Sequence, residues 1–92
     1  MSEDAGGEAP ATLLTFPCDL PIKVFGRNAA PFRDAALRIV RAHYAEVCGV
    51  SEQVSRQGSY LSLTITVRAQ SREQLDAVYH ELVASDEILM VL

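Results

Sequence analysis

The sequence of 92 residues lacks the long apolar runs and leader features that mark membrane and exported proteins. No apolar run approaches the roughly 20 residues that a membrane-spanning helix needs. The N-terminal stretch MSEDAGGEAP is acidic, and it does not have the basic-then-apolar order of a secretory signal peptide. These absences predict a cytoplasmic protein that has no membrane partner.

Cysteine is also scarce, and its spacing argues against structural cross-links. Cys18 and Cys48 are the only two, and neither belongs to a Cys-x-x-Cys pair. In a reducing compartment such cysteines are expected to be free thiols. A zinc site built from them with His43 and His80 would lack the close ligand pairs typical of structural zinc. We therefore predict no disulfide, no metal site and no cofactor.

The sequence contains none of the short motifs that carry common enzyme chemistry. There is no P-loop, no GxGxxG fingerprint and no GxSxG nucleophile elbow. His43 falls near the apolar side of a predicted helix, which is typical of a packed side chain, and His80 is expected to be exposed on another helix. The adjacent pair Asp86 and Glu87 is typical of a solvated turn. The sequence therefore predicts a protein that is not an enzyme.

Positive charge is limited, with eight lysines and arginines against twelve carboxylates and a net charge of −4. This balance disfavours a nucleic-acid partner, because such partners are bound largely through phosphate contacts. Glu3, Asp4 and Glu8 supply three of the four excess negative charges and lie in a segment rich in Gly and Ala. We predict that residues 1–12 form a disordered acidic tail and that residues 13–92 form a single domain.

The clearest structural signal is the alternation in GSYLSLTITVRA, residues 58–69. A period of two is the repeat of a β-strand, so one face is expected to be buried and the other to be polar. The apolar face carries Leu61, Leu63, Ile65 and Val67. The opposite face carries Tyr60, Ser62, Thr64, Thr66 and Arg68.

The remaining segments predict two helices and three further strands. The first helix begins near Pro31 and is stopped by Gly49, and the second has Ser71 as its N-cap with Gln74 completing a capping box. The predicted strands are 19–27, a weaker strand at 50–57, which Gly58 and Ser59 connect to the strong one, and 88–92. The predicted helices are 31–47 and 71–86, and their apolar stripes include Val47 in the first and Val83 in the second.

This order of elements is that of the ferredoxin-like α+β fold, βαββαβ. We predict a four-stranded antiparallel sheet of order 4-1-3-2 with both helices on one face, since right-handed crossovers place them together. The hydroxyl face of the third strand then lies uncovered beside Lys23 and Phe25 of the first strand. RNA-recognition domains of this topology carry several aromatic and basic residues there, whereas Phe25 and Tyr60 are the only aromatics here, which again disfavours nucleic acid.

The uncovered face is the predicted binding surface. Lys23 is the only lysine in the chain, and it is interpreted either as an ordinary surface residue or as an ammonium that pairs with a carboxylate. Gly26 is interpreted either as a residue needed for chain reversal or as a place where a ligand approaches the backbone before a helix N-terminus. The predicted ligand or partner face comprises Lys23, Phe25, Gly26, Arg27, Tyr60, Ser62, Thr64 and Thr66.

Several motifs together resemble the YbeD-like family of small bacterial proteins. They are FP at 16–17, KVFG at 23–26, GSYLSLTIT at 58–66, VYHEL at 78–82 and MVL at 90–92. The resemblance implies a ferredoxin-like fold similar to ACT regulatory domains, which bind small ligands such as amino acids, often at subunit interfaces. It also implies an association with lipoic acid as a ligand.

Two functions follow as expectations. The first is a non-enzymatic regulatory module that binds a small carboxylate and forms a homodimer or binds a protein partner. The alternative is a protein interaction or assembly module that acts through the open sheet face or an edge strand.

Overall fold

The chain folds into a four-stranded antiparallel sheet covered by two helices, as the computed structural model shows for residues 15–92. The spatial order of the strands is β2-β3-β1-β4, which is the predicted order and confirms the ferredoxin-like fold. The predicted tail, residues 1–12, lies outside the described residues. The elements are β1 (Cys18–Arg27), α1 (Ala30–His43), β2 (Val47–Val54), β3 (Tyr60–Ala69), α2 (Arg72–Ala84) and β4 (Met90–Val91).

The core lies between the sheet and the helices and is built from one parity of the two central strands. Side chains of β1 and β3 at these positions are fully buried and pack against apolar residues of both helices. The predicted division of the strong strand into an apolar and a polar face is therefore confirmed. The strand contributions to this core are Ile22, Val24, Leu61, Leu63, Ile65 and Val67.

The first helix ends earlier than the apolar pattern predicts. Pro31 does lie in its first turn, but α1 stops at His43, where the Tyr44 N–H donates to the Val40 carbonyl oxygen at 2.9 Å. The prediction that the helix reaches residue 47 and ends at Gly49 is wrong. Val47 and Gly49 belong to β2, where they pair with Val67 and Thr66 of β3.

The second helix begins as predicted but closes only half of a capping box. The Ser71 hydroxyl oxygen accepts from the Gln74 N–H at 3.2 Å, which confirms the N-cap. The Gln74 side-chain oxygen instead accepts from the Gln70 N–H at 2.9 Å, and its amide nitrogen donates to the His43 carbonyl at 3.0 Å. Gln74 thereby joins the start of α2 to the end of α1.

The end of the chain departs from the prediction in two places. Helix α2 ends at Ala84, and Val83, which the apolar spacing places in the core, is 70% exposed. The final strand is only two residues long, Met90–Val91, whereas residues 88–92 are predicted. Ile88, just before this strand, is buried in the core, whereas Met90 and Val91 pair with β1 at the edge of the sheet.

Tyr44 carries a buried hydroxyl that has no hydrogen-bond partner among residues 15–92. Burial raises the pKa of this phenol to about 12, because the phenolate is poorly solvated there. We expect Tyr44→Phe to leave the free energy of unfolding unchanged or raise it by up to about 1 kcal/mol, since an unsatisfied polar group is removed. Urea denaturation at neutral pH measures this difference.

The same substitution has a predicted dependence on pH. An unfolded tyrosine ionises near pH ~10, so the wild type retains the full contribution of Tyr44 below that pH. That contribution is lost as the pH rises from about 10 towards the folded pKa of about 12. The advantage of Tyr44→Phe should therefore grow over this interval. A variant that is markedly less stable than the wild type at neutral pH would show that the hydroxyl has a partner.

Candidate functional site

The sheet surface opposite the helices, here called the open face, carries most of the residues predicted to bind a ligand. The register of β1 and β3 places Lys23 beside Thr64, Phe25 beside Ser62, and Arg27 beside Tyr60. Neighbours in such antiparallel pairs lie on the same face of a sheet. Thr66 follows on the same face, beside Pro21.

Part of the open face sinks into a shallow depression of about 340 Å³. Four of the predicted site residues line it, namely Lys23, Phe25, Tyr60 and Ser62. Phe25 is half-buried, Ser62 is nearly buried and the other two are exposed, so apolar rings and polar tips are both accessible. The depression therefore offers an apolar wall with polar groups at its rim.

The hairpin between β2 and β3 forms the other wall and is held in place by hydrogen bonds. Gly58 adopts a φ of +82°, and its N–H donates to the Ser55 carbonyl oxygen at 2.9 Å. Asn28, just after β1, donates to this turn twice: its N–H to the Ser59 carbonyl at 3.0 Å and its side-chain amide to the Gly58 carbonyl at 3.0 Å. These bonds tie the turn to the end of β1.

The electrostatic character of the depression is cationic. Lys23 and Arg56 line it, and none of its lining residues is an aspartate or glutamate. The Lys23 ammonium nitrogen lies 5.9 Å from the centroid of the Phe25 ring, within the range of a cation–π contact. This contact orients the ammonium beside the apolar wall while it stays accessible.

The wider charge distribution supports the same polarity. The exposed acidic surface is concentrated on α2 and the following turn, where residues 72–87 contain five carboxylates and one arginine. Residues 15–71 contain seven lysines and arginines against four carboxylates. The formal charge is therefore negative on α2 and its following turn and positive over residues 15–71.

The remaining predicted site residues do not line the depression. Arg27, Thr64 and Thr66 lie on the open face outside it. Gly26 is buried on the opposite face, where an added Cβ would lie 2.2 Å from Phe32 Cδ1. Close packing under an aromatic ring of α1 accounts for the glycine at this position, whereas the approach of a ligand to its backbone stays a prediction.

Five residues that line the depression were not predicted as site residues, namely Gln53, Val54, Ser55, Arg56 and Leu61. Gln53 and Arg56 come from β2 and the hairpin turn. The prediction extends the strand to residue 57, whereas β2 ends at Val54, so Arg56 lies in the turn that borders the depression. The polar residues 55–57, just before Gly58, are the sequence signal that indicates an earlier end of this strand.

Other reactive side chains are placed apart from the depression. His43 Nε2 lies 2.7 Å from Glu81 Oε1 in the helix layer, and His80 is exposed on α2. Cys18 and Cys48 are free thiols; partial desolvation, together with Asp19, raises the pKa of the Cys48 thiol, which disfavours the nucleophilic thiolate. Within residues 15–92, no group of three or more potential ligands is placed to hold a metal ion.

The helices of the described part of the chain do not have the length and hydropathy of a membrane span.

Comparison with known proteins shows a single family over nearly the whole chain. The profile of a family described as "Protein of unknown function (DUF493)" matches residues 11–92. A UPF0250 protein of Paraburkholderia phytofirmans is 41% identical over 83 residues, covering 88% of this chain and 93% of that protein. The UPF0250 protein of Nitrosomonas europaea is 39% identical over 83 residues, covering 88% and 95%. That of Hahella chejuensis is 38% identical over 91 residues, covering 97% and 98%.

Proposed function

Because this chain belongs to the DUF493 (UPF0250) family of small bacterial proteins, whose description assigns no function, we propose one from the geometry of its open face. The protein is a non-enzymatic regulatory module of the cytoplasm that binds a small carboxylate. The observation that carries this proposal is the cationic depression beside Lys23 and Phe25.

The depression supports binding through complementary charge and an apolar contact. A carboxylate can form a charge-assisted hydrogen bond with the Lys23 ammonium, and Arg56 adds a second positive charge. The apolar body of the ligand would lie against the rings of Phe25 and Tyr60. A volume of about 340 Å³ lies at the lower end of the roughly 300–1,000 Å³ usual for small-molecule sites.

The chemistry of the lining supports binding rather than catalysis. General acid–base chemistry commonly uses histidine or carboxylate side chains within reach of the substrate. The residues that line the depression include none of these types. The carboxylate that we propose is lipoate, because the family resemblance implies an association with lipoic acid.

The proposal predicts that Lys23 carries much of the affinity for a carboxylate probe. We expect Lys23→Ala to weaken binding of octanoate and of 3-phenylpropionate by about tenfold or more, which corresponds to ~1.4 kcal/mol. Lys23→Arg should retain most of the affinity because it keeps the charge. Isothermal titration calorimetry at low salt measures these constants.

Arg38→Ala is the matched control, because Arg38 is an exposed cation on α1, away from the open face. It changes the net charge by the same amount and should leave binding nearly unchanged. If Lys23→Ala and Arg38→Ala bind the probes equally well, Lys23 does not form the site. If no carboxylate binds the wild type, the proposed function fails.

A second candidate function is assembly through an edge strand. The outer edge of β2 pairs with no strand among the described residues, and its eight residues include no proline or lysine. Val50 and Val54 are exposed there. If two copies packed through their open faces, Lys23 and Arg56 of both copies would come together, and these like charges would repel. Pairing through the β2 edges is therefore the favoured route to a homodimer. A molecular mass in solution that doubles with concentration would support this candidate.

A further inference from the structure

The lining of the depression combines two cations with aromatic rings and contains no carboxylate. We infer that the site selects carboxylates that lack an α-ammonium group, such as simple aliphatic or aryl-aliphatic acids, and rejects free amino acids. This inference rests on the proposed function, because it names the ligand class of the same site. It departs from the amino-acid ligands that the resemblance to ACT domains implies.

The charges around the depression carry the inference. In an amino acid the ammonium group is attached to the carbon next to the carboxylate. A carboxylate held by Lys23 therefore brings that ammonium close to Lys23 itself, in a depression to which Arg56 adds a second positive charge. Like charges at such separations repel, and the repulsion grows where solvent is partly excluded.

The carboxylates nearest along the sheet cannot offset this repulsion, because each is engaged elsewhere. Glu52 points to the helix layer, where Arg33 donates to its two oxygens at 2.9 and 3.1 Å; this pairing lowers the pKa of Glu52. Asp19 lies on the open face but four residues from Lys23, which is about 13 Å along a strand. It is paired there with Arg68 at 3.3 Å.

Several neutral oxygens of the lining, those of Ser55 and Ser62 and the Gln53 carbonyl, already have partners. The Ser55 hydroxyl accepts from the Tyr60 N–H at 3.1 Å, and its carbonyl accepts from the Gly58 N–H at 2.9 Å. The Ser62 hydroxyl donates to the Gln53 carbonyl at 3.4 Å. An ammonium placed here would thus compete with existing hydrogen bonds, whereas an apolar body would rest on the Phe25 ring.

Matched pairs of probes that differ only in the amino group test the inference on the full chain. The pairs are 3-phenylpropionate with phenylalanine and octanoate with 2-aminooctanoate. By calorimetry at low salt, each simple acid should bind about tenfold or more tightly than its amino derivative. N-acetylphenylalanine keeps the added bulk without the charge, and it should recover much of the affinity of 3-phenylpropionate.

The outcomes separate this inference from the proposed function. If phenylalanine binds as tightly as 3-phenylpropionate, the inference is overturned while the carboxylate site stands. If N-acetylphenylalanine is rejected as strongly as phenylalanine, the selection is steric and the charge argument is wrong. If none of the probes binds, both proposals fail.

A variant provides an independent test. Gln53 is exposed, lines the depression and sits opposite Ser62 in the sheet, so Gln53→Glu adds a carboxylate to the lining without entering the core. We expect the ratio of the dissociation constants of phenylalanine and 3-phenylpropionate to fall by about tenfold, because the ammonium of phenylalanine can pair with the new carboxylate. An unchanged preference in this folded variant would overturn the inference.

Discussion

Replacing Ile65 with aspartate is expected to unfold the domain. Ile65 is fully buried at the centre of β3, where it pairs with Ile22 of β1 and Val50 of β2. The substitution removes a large apolar contact and places a carboxylate in the core without a partner. An uncompensated buried charge costs at least about 3–5 kcal/mol, a large share of the ~5–15 kcal/mol that stabilises a typical domain.

The neighbouring position provides the control for this prediction. Thr64 lies on the open face, partly exposed and beside Lys23, so Thr64→Asp places its carboxylate near a cation. We expect the stability of this variant to stay within about 1 kcal/mol of the wild type. Circular dichroism and urea denaturation measure both variants. Unfolding by Thr64→Asp in an isolated monomer would show that the two faces of β3 are assigned the wrong way round.

The second large effect is expected at Gly26. A Cβ at this position would lie 2.2 Å from Cδ1, 2.5 Å from Cγ and 2.6 Å from Cε1 of Phe32. The ring is itself buried in the core, so it cannot move away freely. We expect Gly26→Ala to lower the free energy of unfolding by about 1–3 kcal/mol, as overpacking of a core does.

Two further variants identify the cause of that loss. Gly49 also lies in a strand, but an added Cβ there would have nothing within 4 Å, so Gly49→Ala should have little effect. Combining Gly26→Ala with Phe32→Leu should cost less than the two separate losses together, because the smaller side chain makes room. Strict additivity in this double-mutant cycle would show that Phe32 is not the group that excludes a side chain at Gly26.

The parts of the fold that the sequence predicts well are those with strong local patterns. The alternation in residues 58–69 determines both the strand and its buried face, because a shift of one residue would expose four large apolar side chains. Ser71 and Gln74 mark the start of α2 through a hydrogen bond within one turn. Such patterns depend on a few residues close in sequence, so they can be interpreted without knowledge of the tertiary structure.

The errors arise where a residue fits two elements. Val47 continues the apolar stripe of α1 at helical spacing, but in the structure it pairs with Val67 in the sheet. Tyr44, which is nearly fully buried, supplies the last core contact after the helix instead. The choice between these arrangements depends on the gain from pairing β2 with β3, which a local pattern does not contain.

The site was only partly predictable for the same reason. Parity alone places Lys23, Phe25, Tyr60 and Ser62 on one face. Arg56 joins them only because β2 ends at Val54 and places it in the hairpin turn, and that strand end was not predicted. The near neutrality of the chain beyond its acidic tail also conceals the separation of charge between α2 and the rest of the domain.

We propose that the depression beside Lys23 binds a small carboxylate. Nitrogen–proton correlation NMR of the full chain during titration with 3-phenylpropionate tests it most directly. We predict saturable chemical-shift changes that are largest for the amides of Lys23, Phe25, Tyr60 and Ser62, with small changes on α1 and α2. Changes that centre on the helices, or that never saturate, would contradict the claim.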